Sequence, residues 1–277
     1  MTEKSPERLE ILKRIEEYER LRYFDKDVEF DPPSRELLPE EVDYLNEKMK
    51  NKIATKFAYG SARLFVRKMI KTKQLIIKGI LGAENMERIT AGAILTCNHF
   101  NPFDSFAMQI AFESIKNNRK RKMYRVIREG NYTSFPGFYG FLMRHCHTLP
   151  LSSNFKTMYK FVQSVDAVLK RGDFVLIYPE QSMWWNYRKP KPLKPGAYKF
   201  ATRNNVPILP CFITMSDSEI IGGDGFPIQE YTIHIGKPIY PDLSLSLQEN
   251  IARLSELNFE VWKSVYEDIY DLPLTYR

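Results

Sequence analysis

His99 and Asp104 are separated by Phe100-Asn101-Pro102-Phe103, a spacing that lets a loop imidazole meet a carboxylate in the first turn of a following helix. Asn101 is a good N-cap and Pro102 suits the first helical position, so a helix expected over residues 102–116 carries Asp104 in its opening turn. There the helix dipole favours the carboxylate. It can accept a hydrogen bond from one imidazole nitrogen, fix the tautomer and leave the other nitrogen basic. Such a pair is a general base with an orienting partner. An alcohol is a poor nucleophile at neutral pH until its proton is taken, and a positioned histidine contributes roughly 10²–10⁴-fold to that step. A hydroxyl acceptor is the substrate chemistry this suggests. A histidine that merely caps a helix uses the same two residue types, so the pair alone leaves both readings open.

The elements around the pair narrow the choice. Ala93–Cys97 is a short apolar run that reads as a buried strand, followed directly by Asn98-His99. Residues 122–127 and Phe174–Tyr178 read as further strands, with helices expected over residues 155–170, 196–204 and 247–270 and strands over 208–214 and 231–235. This alternation predicts an α/β fold with a mostly parallel central sheet flanked by helices. Ligands in such sheets collect at the carboxyl ends of strands. Two polar clusters fall there: Asn98 to Asp104, and Pro179-Glu180-Gln181-Ser182 directly after Phe174–Tyr178.

Amphipathic N-terminal helices precede the sheet. Ile11, Ile15, Tyr18 and Leu21 recur at helical spacing over residues 6–22, and the segment around Asp31-Pro32-Pro33 breaks that pattern. A second helix is expected from Pro39-Glu40-Glu41 through Val42, Leu45, Met49, Ile53, Phe57 and Leu64 toward Ile70. From Lys48 to Gly82 there are ten Lys/Arg and no acid, and from Lys116 to Arg128 seven and no acid, against a net charge of +7 for all 277 residues. Such blocks suit an anionic bilayer, an acidic carrier protein or nucleic acid. An apolar stripe bordered by cations suits a helix lying in a membrane surface, each cation being worth about 1 kcal/mol there. The same stripe also suits packing on the core. Residues 1–74 are accordingly expected to form a helical extension with a membrane-facing basic helix, and residues 75–277 the catalytic domain.

Composition removes several other classes. With 43% hydrophobic and 13% aromatic residues the chain can bury a substantial core. The charged opening has no apolar stretch or cleavage site, so no secretory signal is expected, and no run approaches the roughly 18 apolar residues of a membrane span. Three scattered cysteines, Cys97, Cys146 and Cys211, suit a reducing compartment. His145-Cys146-His147 lacks further ligands for zinc, and there is no Gly-x-Ser-x-Gly elbow of a serine esterase. No nucleic-acid recognition module accompanies the basic blocks.

Four segments in order carry a family resemblance. Asn98-His99-x-Asn101-x-x-Asp104 resembles the NHxSxxD signature of the glycerolipid acyltransferases, with Asn101 in place of Ser. Phe135-Pro136-Gly137-Phe138-Tyr139-Gly140 resembles their second motif, Tyr178-Pro179-Glu180-Gln181-Ser182 their Phe-Pro-Glu-Gly-Thr-Arg, and Val206-Pro207-Ile208-Leu209-Pro210 their Val-Pro-x-x-Pro. Lys194-Pro195-Gly196-Ala197 matches the lysine-glycine step before that last motif, and the likeness spans roughly residues 75–240.

The resemblance implies transfer of a fatty acyl group from acyl-CoA or acyl carrier protein to the hydroxyl of a lysophospholipid such as 1-acylglycerol-3-phosphate, in phospholipid biosynthesis. It implies His99 and Asp104 as the catalytic pair, and Asn98, Asn101, Glu180, Gln181 and Ser182 around the substrate. No metal or bound cofactor is expected. The expected partners are the two substrates and an anionic membrane surface, not nucleic acid, with the protein peripheral on the cytoplasmic face of the cell membrane.

Two arginines that the family places near the acceptor phosphate are missing: Leu149-Pro150-Leu151 replaces Ile-Asp-Arg, and Met183 stands where the third motif has Arg. Arg188, Lys189, Lys191 and Lys194 are the candidate replacements, or else the acceptor carries no phosphate. Trp184 and Trp185 beside them could enter the membrane interface, line an acyl groove or pack in the core. A fold-retaining, catalytically silent membrane-binding or adaptor protein is the alternative from another class.

Overall fold

The computed structural model describes residues 3–30 and 34–277, so the Asp31-Pro32-Pro33 breaker lies outside the described residues. The chain begins with helices α1 (Pro6–Arg20) and α2 (Met49–Lys71), then strand β1 (Ile76–Leu81), α3 (Ala83–Glu87), β2 (Ala93–Thr96) and α4 (Asp104–Ser114). It continues through β3 (Met123–Ile127), α5 (Glu129–Thr133), α6 (Gly137–His145), β4 (Thr148–Pro150), α7 (Phe155–Lys170) and β5 (Phe174–Ile177). The last part holds α8 (Gly196–Asn204), β6 (Ile208–Ile221), β7 (Pro227–Ile235) and α9 (Leu247–Tyr270).

The strands form one sheet in the order β1-β7-β6-β2-β5-β3-β4. Every neighbouring pair is parallel except the β6/β7 hairpin. β2 and β5 lie side by side at the centre, with Thr96 opposite Ile177. Their side chains alternate between two cores. Ala93, Leu95, Phe174 and Leu176 face Ala107, Met108, Ala111 and Phe112 of α4, whereas Ile94 and Val175 face Phe161 and Val165 of α7 and Ala197 and Ala201 of α8. A sheet covered on both faces needs apolar residues at every strand position, which is why these short runs are apolar throughout.

The helices over 155–170, 196–204 and 247–270 form as expected, the first and last with local side-chain caps. Asn154 accepts hydrogen bonds from the Lys156 and Thr157 amides ahead of α7, and Ser246 with Glu249 makes a capping box on α9. Two expected starts are wrong. α2 begins at Met49, not near Pro39. Asp43 takes the amides of Glu47 and Lys48 and the amide side chain of Asn51, which holds a turn, while Tyr44 is buried with its hydroxyl donated to the Pro150 carbonyl. α4 begins at Asp104, because Asn101 turns its side-chain oxygen onto the Phe103 amide and caps a turn ahead of the helix, not the helix itself.

The apolar stripe of α2 faces outward. Met49, Ile53, Phe57, Leu64 and Ile70 are exposed, Phe57 by 69%, and the buried side is Thr55, Ala58 and Met69. α1 and the segment after it pack instead on the loop beyond β5: Ile11, Ile15, Phe24 and Val28 form a cluster with Trp184 and Trp185. Both indoles are thus core residues, and Trp184 donates its Nε1 hydrogen to the Lys26 carbonyl. Their expected alternatives at a membrane interface or along an acyl groove do not hold. Among the described residues no helix is long and apolar enough to cross a membrane.

Candidate active site

Because β2 and β5 are adjacent and parallel, the loops leaving their carboxyl ends emerge together, and the two polar clusters meet. His99 Nδ1 lies 2.7 Å from Asp104 Oδ2. The carboxylate is 1% exposed and the imidazole 25% exposed, so the base reaches solvent and its partner does not. An ionised carboxylate only accepts, so the hydrogen sits on Nδ1 and the lone pair on Nε2, which has no hydrogen-bond partner among the described residues. Asp104 Oδ2 also accepts from the amides of Phe100 at 3.3 Å and Asn101 at 3.5 Å, and Oδ1 accepts from the Tyr178 hydroxyl at 2.8 Å. The loop therefore wraps its own first-turn carboxylate.

Glu180 holds the histidine by its backbone. Its Oε2 accepts from the His99 amide at 3.0 Å, and its Oε1 from the Lys191 amide at 2.8 Å. Lys191 is itself buried, 3.8 Å from the same carboxylate, and donates to the Ser182 carbonyl and hydroxyl. Burial pushes Glu180 above the usual carboxylate range against the pull of Lys191 and the two amides, and it pushes Lys191 down to about 8 against the pull of Glu180. Two backbone bonds close the clamp: the Trp184 amide donates to the His99 carbonyl and the Asn186 amide to the Phe100 carbonyl.

Several residues expected against the substrate make hydrogen bonds within the chain. Asn98 is buried and bridges to β6 through both atoms of its amide, donating to the Ile213 carbonyl and accepting from the Ile213 amide. Ser182 is buried, donating to the Phe24 carbonyl while it accepts from Lys191. Asn101 caps its turn and donates to Asn186. Gln181 is exposed at a φ of +65°, and its carbonyl accepts from Arg128. The four candidate phosphate cations all have partners within the chain: Arg188 with Asp217, Lys189 with Glu19, Lys194 with Asp25, and Lys191 as above. A carboxylate lies beside each of the first three.

Sequence reasoning missed three participants. Tyr178 was visible only as a hydroxyl where the resembling motif has Phe, Lys191 only as one of four cations, and Arg128 only as the end of a basic block. Arg128 touches the Gln181 carbonyl and pairs with Asp27, on the wall of a cavity of about 300 Å³ that Glu129 and Phe135 also line. Asp27 and Gln181 come from two distant stretches of chain, which no local pattern announces. The His145-Cys146-His147 run makes no metal site, as no metal-binding cluster of His, Cys, Asp or Glu occurs among the described residues. Burial lowers His147 to about 3, and its Nδ1 meets the Tyr59 hydroxyl at 2.8 Å.

A parallel α/β sheet with a histidine-carboxylate pair on the loop after its central strand has the geometry for general-base chemistry at the strands' carboxyl ends. Residues 80–214 match the family model described as Acyltransferase, and both polar clusters lie inside that match. The matched segment is thus similar to an acyltransferase domain over just under half of the chain. Among solved structures it is similar to the 1-acyl-sn-glycerophosphate (LPA) acyltransferase, PlsC, from Thermotoga maritima, at 15% identity over 78% of this chain and 96% of that one, with a TM-score of 0.48. A search of curated proteins found no match.

Proposed function

We propose that the protein moves a fatty acyl group from an acyl thioester, acyl-CoA or acylated carrier protein, to the hydroxyl of a lysophospholipid such as 1-acylglycerol-3-phosphate. The observation that carries this reading is the 2.7 Å contact between a buried Asp104 and a partly exposed His99 within the acyltransferase match. In the step proposed, His99 Nε2 takes the acceptor hydroxyl proton as the oxygen attacks the thioester carbonyl. Asp104 stays ionised and supports the imidazolium. Collapse of the tetrahedral intermediate breaks the carbon–sulfur bond, and the imidazolium returns the proton to the leaving thiolate. Atoms and charge balance with no metal or bound cofactor in the step.

Membrane docking through α2 belongs to the same reading. Its exposed stripe of Met49, Ile53, Phe57 and Leu64 is flanked by Lys50, Lys52, Lys56 and Arg67, and Phe65 of α2 packs on Phe138 and Tyr139 of α6, which are also exposed. Apolar side chains beside cations suit the boundary between acyl chains and anionic headgroups, on the cytoplasmic face of the cell membrane. Lys116, Arg119, Lys120 and Lys122 are exposed as well and suit an acidic carrier protein as donor. The carboxylate partners of Arg188, Lys189 and Lys194 favour a second acceptor class, a lysolipid without a phosphate monoester.

The test is thiol release from acyl-CoA and acylated carrier protein, with a panel of lysolipids differing in headgroup, presented in anionic vesicles. Acylated product from wild type and a loss of about 10²–10⁴-fold in His99→Ala are the expected results. Free fatty acid in place of acylated lipid would make the protein a hydrolase. No turnover with any pair, together with unchanged cellular lipids in His99→Ala, would make it the silent adaptor.

A further inference from the structure

Tyr178 leaves the end of β5 and meets both members of the catalytic pair. Its hydroxyl donates to Asp104 Oδ1 at 2.8 Å, the oxygen that His99 does not use, and its ring lies against the imidazole with centroids 4.2 Å apart and planes 25° apart. No other donor reaches Oδ1 among the described residues, whereas Oδ2 takes His99 Nδ1 and two amides. From these contacts we infer that Tyr178 is a positioning residue of the pair: its hydroxyl restrains the basicity of His99 by sharing the charge of Asp104, and its ring supports the imidazolium. The inference rests on the acyl-transfer reading above for its role in turnover, but not for the hydrogen bond itself.

The reasoning is electrostatic. A neutral donor on a carboxylate stabilises the anion and leaves less charge to hold the proton that His99 gains during reaction. The face of an aromatic ring carries negative potential, so stacking favours the cationic form of the neighbour. One side chain thus applies two opposed influences, and the hydroxyl is the part that a phenylalanine would lack. Burial and the charge of Asp104 push the Tyr178 phenol well above its ordinary range, so it stays a donor at every pH at which the enzyme works. The other charged or titratable groups around the pair are Glu180 and Lys191 from the loop beyond β5, Cys97 at the end of β2, Arg125 on β3 and Tyr231 on β7. Among the described residues none of these hydrogen-bonds to Oδ1, so changing the Tyr178 hydroxyl alters one contact of the carboxylate.

The experiment follows the His99 imidazole by NMR titration, its signals identified by their loss in His99→Gln, alongside the pH profile of kcat/KM. In Tyr178→Phe the titration midpoint and the acid limb of the profile should both move up by about half a unit to one unit. Replacing Tyr178 with 3-fluorotyrosine, a stronger donor on an intact ring, should move them down. Tyr178→Leu, which removes ring and hydroxyl together, should titrate below Tyr178→Phe. A midpoint that stays put or falls in Tyr178→Phe, or fails to fall with 3-fluorotyrosine, overturns the inference. A purely structural tyrosine would lower the melting temperature and leave the midpoint where it was, which also overturns it. Since the titration needs no substrate, absence of turnover alongside the expected midpoint shifts would sink the acyl-transfer reading and leave the hydrogen-bond inference standing.

Discussion

Asp104 receives the His99 imidazole, the Tyr178 hydroxyl and two backbone amides, and its contact with Nδ1 is what leaves the lone pair on Nε2. Removing the charge without the shape is the direct probe. Asp104→Asn presents an amide that can donate to Nδ1, which drives the hydrogen to Nε2 and removes the lone pair from the substrate side. We expect acyl transfer to fall by about 10²–10⁴-fold with little change in KM, read from steady-state kinetics at saturating lysolipid. A fall confined to KM would place Asp104 in binding instead. The pair itself was legible in the sequence, since histidine, carboxylate and helix start lie within six residues. The Glu180 and Lys191 clamp was not. Both sit 80 or more residues along the chain from His99, and Glu180 acts on a backbone amide, which leaves no trace in side-chain types.

At the scale of the element, α2 shows how far amphipathicity carries. The periodic stripe identified a helix and its apolar face, yet the same stripe serves a core or a bilayer. In the structure the small Ala58 and Thr55 lie on the inner side while Phe57 and Leu64 face out. Replacing Phe57 and Leu64 with Asp should therefore abolish binding to anionic vesicles in a flotation assay. The melting temperature should hardly move, because exposed substitutions change stability by only about 0.5 kcal/mol each. A large drop in melting temperature would mean that the stripe packs on protein. The missed start of α2 has a similar cause: Asp43 binds its neighbours' amides and Tyr44 docks on Pro150, a contact 106 residues away that outweighs the helix-like pattern from Pro39 onward.

For the molecule as a whole, the buried His147 gives stability a pH dependence with a definite sign. In the unfolded chain this imidazole takes a proton near 6.5, but burial, with Lys122 and Arg125 nearby, keeps it neutral in the fold down to about 3. The unfolded state thus binds more protons between those values, so the contribution to stability is complete above pH 6.5 and lost as pH falls toward 3. Urea midpoints measured from pH 7 to pH 4 should decline, and less steeply in His147→Asn, which tolerates the φ of +49° at this position. Equal slopes in the two proteins would exclude His147 as the titrating group. Fold class, strand alternation, the two capped helices over 155–170 and 247–270 and the His99/Asp104 pair were determined by the sequence itself, because each depends on residues close together along the chain. Only the tertiary structure decided that Asn98, Glu180 and Ser182 bond to distant parts of the chain, that the tryptophans are core, and that the stripe of α2 faces outward. Those outcomes depend on which strands are neighbours and on which distant carbonyl, amide or carboxylate comes within 3 Å, and chain order does not encode such distances locally.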